Sequence, residues 1–203
     1  YSGAGFTVAV IGSVVQPTRE PFFNLSDLKV SAASPGSDPV AIATAYLASH
    51  HLLPTWPYQS DVQTTGTTVV VRFLRSFDLH AQGQAAVVNS AGDRYGIEVD
   101  IPSEATGAFE SGPLPLTLGS ADYPVITADQ AIRSALAMST SGGARTYPSV
   151  QLTKAELVYK LVLSGDQGFY EPAFLFSGTF SYQGATYTKR VLVPAVYPSF
   201  LSP

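Results

Sequence analysis

The chain has 203 residues, 45% apolar and 13% charged, with a net charge of −4 and no cysteine. That length holds one large domain or two small ones and buries a core without covalent staples, while the missing cysteine excludes disulfides, iron–sulfur clusters and thiolate zinc sites. Four lysines and no basic cluster longer than Lys189-Arg190 exclude a surface that tracks phosphates or docks on anionic lipid, so nucleic acid is not an expected partner.

Phe6 to Ile11 is rich in β-branched residues and reads as a strand. The apolar stretch around it ends at Val15 and is too short to span a bilayer. A chain starting at Tyr1 is expected to be a fragment or a processed form, with any membrane attachment made through a segment outside it. Asn24-Leu25-Ser26 fits the short glycosylation acceptor pattern. Asp38 precedes Pro39 as an N-cap before a first helix position. The helix is expected over 39–51, with Val40, Ala43 and Leu47 on one stripe, and Pro54 and Pro57 end it. Strands are expected at 67–73, 84–89 and 94–101, with Ser90 to Asp93 as a hairpin turn between the last two.

Gly, Pro, Ser and Thr dominate the stretch after Pro102, so 106–120 reads as a linker. The plan then restarts. Thr127 and Gln130 have capping-box spacing, and a helix over 128–138 carries Ala131, Ile132, Ala135 and Leu136. Strands are expected at 155–163, 173–182 and 186–193. The expected fold class is α+β: two helix-on-antiparallel-sheet units in tandem, an α-β-β-β repeat, preceded by an N-terminal strand. The boundaries are 1–37 for the N-terminal strand and loop, 38–105 for the first unit, 106–120 for the linker and 121–203 for the second unit. Overlaying the halves pairs Ala41-Ile42 with Ala131-Ile132, Phe73 with Leu161, Val87 with Leu175 and Tyr95 with Tyr187. A single cystatin-like sheet around one helix is the architectural alternative.

Tyr123-Pro124, Thr127-Ala-Asp-Gln-Ala131, Leu157-Val-Tyr159 and Glu171-Pro-Ala-Phe-Leu-Phe-Ser-Gly178 resemble the YycH/YycI type of extracytoplasmic regulators, and more loosely the PepSY-like domains. The first type is anchored outside the bacterial membrane and modulates a sensor histidine kinase; the second occurs in protease propeptides and secreted regulators. The resemblance implies an extracytoplasmic regulatory module, secreted or anchored to the outer face of the membrane, and brings no catalytic residue.

No motif supplies a catalytic centre. His50 and His51 are adjacent, so they point about 100° apart on a helix rather than at one metal, and His80 falls near a turn. Glu98 and Asp100 alternate on one strand and share a face, as acid–base or cation-binding partners or as an ordinary solvent face. No nucleophile elbow is present, and Ser141-Gly142-Gly143 has the chemistry of a helix C-cap. The candidate contact residues are aromatics beside prolines: Trp56 and Tyr58 after the first helix, and Phe169 and Tyr170 before Glu171-Pro172. Such residues anchor interfaces or close a core at the sheet ends. The expected function is a non-catalytic module with a protein partner, no cofactor and no metal. The alternatives are a small-ligand site between helix and sheet and a hydrolase assembled from distant carboxylates and histidines.

Overall fold

The structure, a computed structural model, describes residues 2–3, 6–11, 22–27, 36–79, 83–102, 108–113, 118–140, 149–164 and 167–197. It divides into two compact units: Tyr1–Val87, Arg94–Leu118 and Leu163–Gly168 in the first, and Val88–Asp93, Gly119–Val162 and Phe169–Pro203 in the second. Strands and two helices make an α+β architecture.

In the first unit, β1 (Ser2–Gly3), β2 (Phe6–Ile11) and β3 (Phe22–Asp27) precede helix α1 (Pro39–Ser49). Asp38 starts the helix as expected, its Oδ1 accepting from Val40 N at 3.0 Å with Pro39 at the first position. The helix stops two residues earlier than expected. His51 takes a left-handed conformation (φ 57°), its N–H donating to Ala48 O and Leu52 N–H to Leu47 O, a Schellman-type close that glycine usually provides.

Strand β4 (Tyr58–Thr65), β5 (Thr68–Asp78), β6 (Gln84–Val88), β7 (Gly96–Pro102) and β8 (Ala108–Pro113) follow. The antiparallel order runs β1-β2-β3-β8-β7-β5, and β4 lies along the other side of β5, pairing with the same residues that β7 pairs. Alternation on β5 and β7 turns Val69, Val71, Phe73, Ile97, Val99 and Ile101 toward Ala43, Tyr46 and Leu47 of α1, with Leu25 of β3 in the same cluster. Each fully buried aliphatic or aromatic side chain there contributes about 1.5–3 kcal/mol.

Three expectations change. Residues 106–120 are not simply a linker, because 108–113 form β8 between β3 and β7; Gly112 and Pro113 hid a strand whose partners, rather than its propensity, define it. The 1–37 segment is not a separate appendage, since β2 and β3 continue the same sheet through β8. Ser90 to Asp93 is a turn but closes no hairpin: β7 pairs with β5 and β8, while β6 takes the last three residues of β5.

The second unit opens with the expected capping box. Gln130 N–H donates to Thr127 Oγ1 at 3.3 Å, and Thr127 N–H donates to Gln130 Oε1 at 2.8 Å. Helix α2 (Ala128–Thr140) is followed by β9 (Lys154–Ser164), β10 (Gln167–Tyr182) and β11 (Ala185–Pro194), in the order β9-β10-β11. Ala131 and Ala135, both buried, let α2 approach Val191 and Val193, with Phe174 and Phe176 beside them. The other sheet face buries Val158, Ala173 and Leu175 with Val88.

After each helix comes a three-strand order, β4-β5-β7 and β9-β10-β11. Hydrogen bonding sets β5 between β4 and β7 as β10 sits between β9 and β11. The residue matching of Phe73 with Leu161 lays the central strand β5 over the outer strand β9, and that of Val87 with Leu175 lays β6 over β10, so neither follows this order. Strand β4 was overlooked as well, a polar segment without the apolar alternation that marks a half-buried strand.

Candidate functional site

Strand β10 carries aromatics at alternate positions, so Tyr170, Phe174, Phe176, Phe180 and Tyr182 share one face. Phe174 and Phe176 are partly buried in the cluster under α2. At Gly178 the carbonyl of Gln151 lies where a Cβ would stand, and Thr153 N–H donates to Ser177 O at 2.9 Å. Past that point, Thr179–Tyr182 pair only with β11 among the described residues, in the register Thr179↔Thr188 to Tyr182↔Ala185. Every residue from Ser181 to Arg190 is exposed.

Local chemistry holds this two-stranded ribbon, which by its size alone is marginal. Gln183 and Gly184 both have positive φ (51° and 78°), the type I′ turn that matches the strand twist. Phe180 stacks on its cross-strand partner Tyr187, ring centroids 5.6 Å apart at 28°, a contact worth about 0.5–1.5 kcal/mol beyond area. At the base, Arg190 reaches Asp93 at 2.8 Å. That aspartate belongs to a turn in which Asn89 Oδ1 accepts from the N–H groups of Ala91 and Asp93. Tyr182 and Tyr187 remain 48% and 47% exposed, so the ribbon offers aromatic rings and open backbone groups.

The four expected contact residues fare differently. Trp56 is 8% exposed and belongs to the core under α1; it closes the core. The guanidinium of Arg75, itself 2% exposed, lies 5.1 Å from the Trp56 ring and 5.4 Å from Phe77. Tyr58, 37% exposed, packs edge-on to both Trp56 and Phe73. Phe169 is 51% exposed, and Tyr170 is half-buried on the aromatic face of β10. Sequence reasoning passed over Arg75, Phe180 and Tyr182. The alternation of Phe174, Phe176, Phe180 and Tyr182 was the available signal for the last two.

Glu98 and Asp100 do share a face of β7. Arg72 on β5 binds Glu98 through Nε at 2.6 Å and lies 3.8 Å from Asp61 of β4. Burial pushes the Asp100 carboxyl above its usual range, Glu98 adds to the rise, and Arg72 opposes it; Asp100 Oδ1 is buried without a protein hydrogen-bond partner. Burial likewise raises Glu171, against the pull of Lys160, and raises Tyr159. His50 packs edge-on to Tyr46. His80 and Ser141-Gly142-Gly143 lie outside the described residues. Among the described residues, no group of three or more His, Asp or Glu is placed to hold a metal ion, and no helix is long and apolar enough to cross a membrane.

No protein-family model and no curated protein matches the chain. Among solved structures, the Bacillus megaterium YpeB C-terminal domain aligns over 94% of this chain and 85% of its own, at 12% identity and a TM-score of 0.39.

Proposed function

We propose that this chain is a non-catalytic regulatory module that works outside the cytoplasm by binding a protein, and that the β10–β11 ribbon is its contact element. The observation that carries this reading is the pair of exposed rings Tyr182 and Tyr187, with Tyr187 stacked on the half-buried Phe180. Aromatic anchors on a projecting, turn-braced ribbon give contact area at small entropic cost. Phe169, exposed toward the other end of β10, adds a second apolar anchor. The extracytoplasmic setting and the kind of target, a membrane sensor or a protease, rest on the resemblance to the YycH/YycI and PepSY-like regulators. On the same reading, α1-β4-β5-β7 and α2-β9-β10-β11 are two copies of one unit.

Capture from cell-envelope and secreted fractions of the source cell tests the proposal. Wild-type protein is expected to retain a discrete partner, and Tyr182→Ala combined with Tyr187→Ala to lose it while the far-ultraviolet spectrum stays native and the melting temperature falls only by the loss of the Phe180–Tyr187 stack. Retention by the double variant overturns the role of the ribbon. Steady turnover of a peptide, ester or glycan by the purified chain, abolished by one carboxylate or His substitution, overturns the non-catalytic reading.

A further inference from the structure

Strand β4 is eight residues long, Tyr-Gln-Ser-Asp-Val-Gln-Thr-Thr, and pairs only with β5 among the described residues. An open edge of this length is a template for another strand, and proteins usually blunt such edges with lysine, proline or a bulge. The outer strand β11 has these guards, with Lys189, Arg190 and Pro194. Strand β4 has none. Its single charge, Asp61, is turned to Arg72 within its own sheet. We infer that β4 is a self-association edge, on which a second copy of this chain pairs antiparallel about a two-fold axis at Val62.

The backbone decides which groups are available. Ser76 N–H donates to Pro57 O, and Thr65 opposes Thr68 across the two-residue turn. In an antiparallel ladder the bonded pairs alternate, so Gln59, Asp61, Gln63 and Thr65 spend their backbone groups on β5. Ser60, Val62 and Thr64 turn theirs outward. Two copies can exchange those bonds only in registers that set even-numbered residues against even-numbered ones, and two such registers give the longest overlap. One opposes Asp61 to the second copy's Asp61, a like-charge pair that destabilises a sheet. The other centres on Val62, the sole aliphatic side chain of the strand and 43% exposed. It sets Val62 against its own copy, Ser60 against the copy's Thr64, and Asp61 against the copy's Gln63. A carboxylate then meets an amide donor; within one chain Gln63 Nε2 already donates to Asp61 Oδ2 at 3.1 Å. Charge therefore selects the register, and the occupant it fits is this same strand, as the isologous contact of a two-fold dimer requires. This edge is independent of the β10–β11 ribbon.

Sedimentation velocity across the micromolar range, with variants, tests the inference. Wild type is expected to shift from monomer to dimer as concentration rises. Val62→Pro removes an outward N–H that β5 does not use, and Val62→Lys sets two like charges on the axis. Each is expected to raise the dissociation constant by about tenfold or more, a loss of about 1.4 kcal/mol, while the far-ultraviolet spectrum stays native. The chain has no cysteine, so single thiols report the register. Val62→Cys brings its thiol against its own copy at a Cα separation of about 5.5 Å, inside the disulfide range, and is expected to oxidise to a covalent dimer. Ser60→Cys opposes Thr64 and is expected to remain monomeric under the same oxidation. A wild type that stays monomeric throughout, a dimer indifferent to both Val62→Pro and Val62→Lys, or Ser60→Cys cross-linking as readily as Val62→Cys overturns the inference. Binding of a different protein along β4 without self-association overturns it as well.

Discussion

Trp56 and Phe169 have the same sequence context, an aromatic residue near a proline, and opposite fates. Trp56 sits in the core beside Phe73 and under the Arg75 guanidinium, so Trp56→Ala is expected to cost about 3–5 kcal/mol in urea unfolding. Phe169, half exposed, is expected to change stability by less than about 0.5 kcal/mol when replaced by Ala. Equal losses at the two positions would contradict this placement. His51 gives a change in the other direction. A side chain held at φ 57° carries the left-handed penalty that glycine avoids, so His51→Gly is expected to stabilise the chain by about 0.5–1 kcal/mol after glycine's own entropy cost. The helix signal was legible in the sequence, but its left-handed exit was not, since nothing local names a histidine for a glycine position.

Both helices start where local chemistry says they must. Asp38 and Thr127 satisfy backbone donors that no helical partner reaches, and Thr127→Ala is expected to cost about 1 kcal/mol. Strands are a different case. Strand β5 announces itself by Val69, Val70 and Val71, whereas β4 and β8 are recognisable only once β5, β7 and β3 stand beside them. Gly96 shows how tight that pairing is. A Cβ there would collide with the carbonyl of Phe73, so Gly96→Ala is expected to loosen the start of β7. Hydrogen exchange at Arg75 N–H, which donates to Tyr95 O at 3.1 Å, is the readout, and unchanged protection would refute the prediction.

Over the whole molecule, two carboxyls make stability depend on pH in the direction opposite to ordinary acid denaturation. Asp100 and Glu171 have folded-state pKa values above their unfolded ones, chiefly from burial. Between the two values the native state binds more protons than the unfolded chain, so stability falls as pH rises through that window and levels off above it. The melting temperature of Asp100→Asn with Glu171→Gln is expected to fall less than that of wild type from mildly acidic to neutral pH. A wild-type curve that rises across this window with the same slope as the double variant would overturn the assignment.

By itself the sequence determined the α+β class, both helix starts, most of the valine-rich and aromatic strands, and the sharing of a face by Glu98 and Asp100, because capping and side-chain periodicity are written in near neighbours. Tertiary structure decided the rest. It decided that 108–113 is a strand and not a linker, that β5 lies between β4 and β7, that Trp56 is core, and that Phe180 meets Tyr187. Each depends on which distant segment supplies the opposing hydrogen-bonding edge or packing surface, and a strand's own residues encode its alternation but not its neighbour.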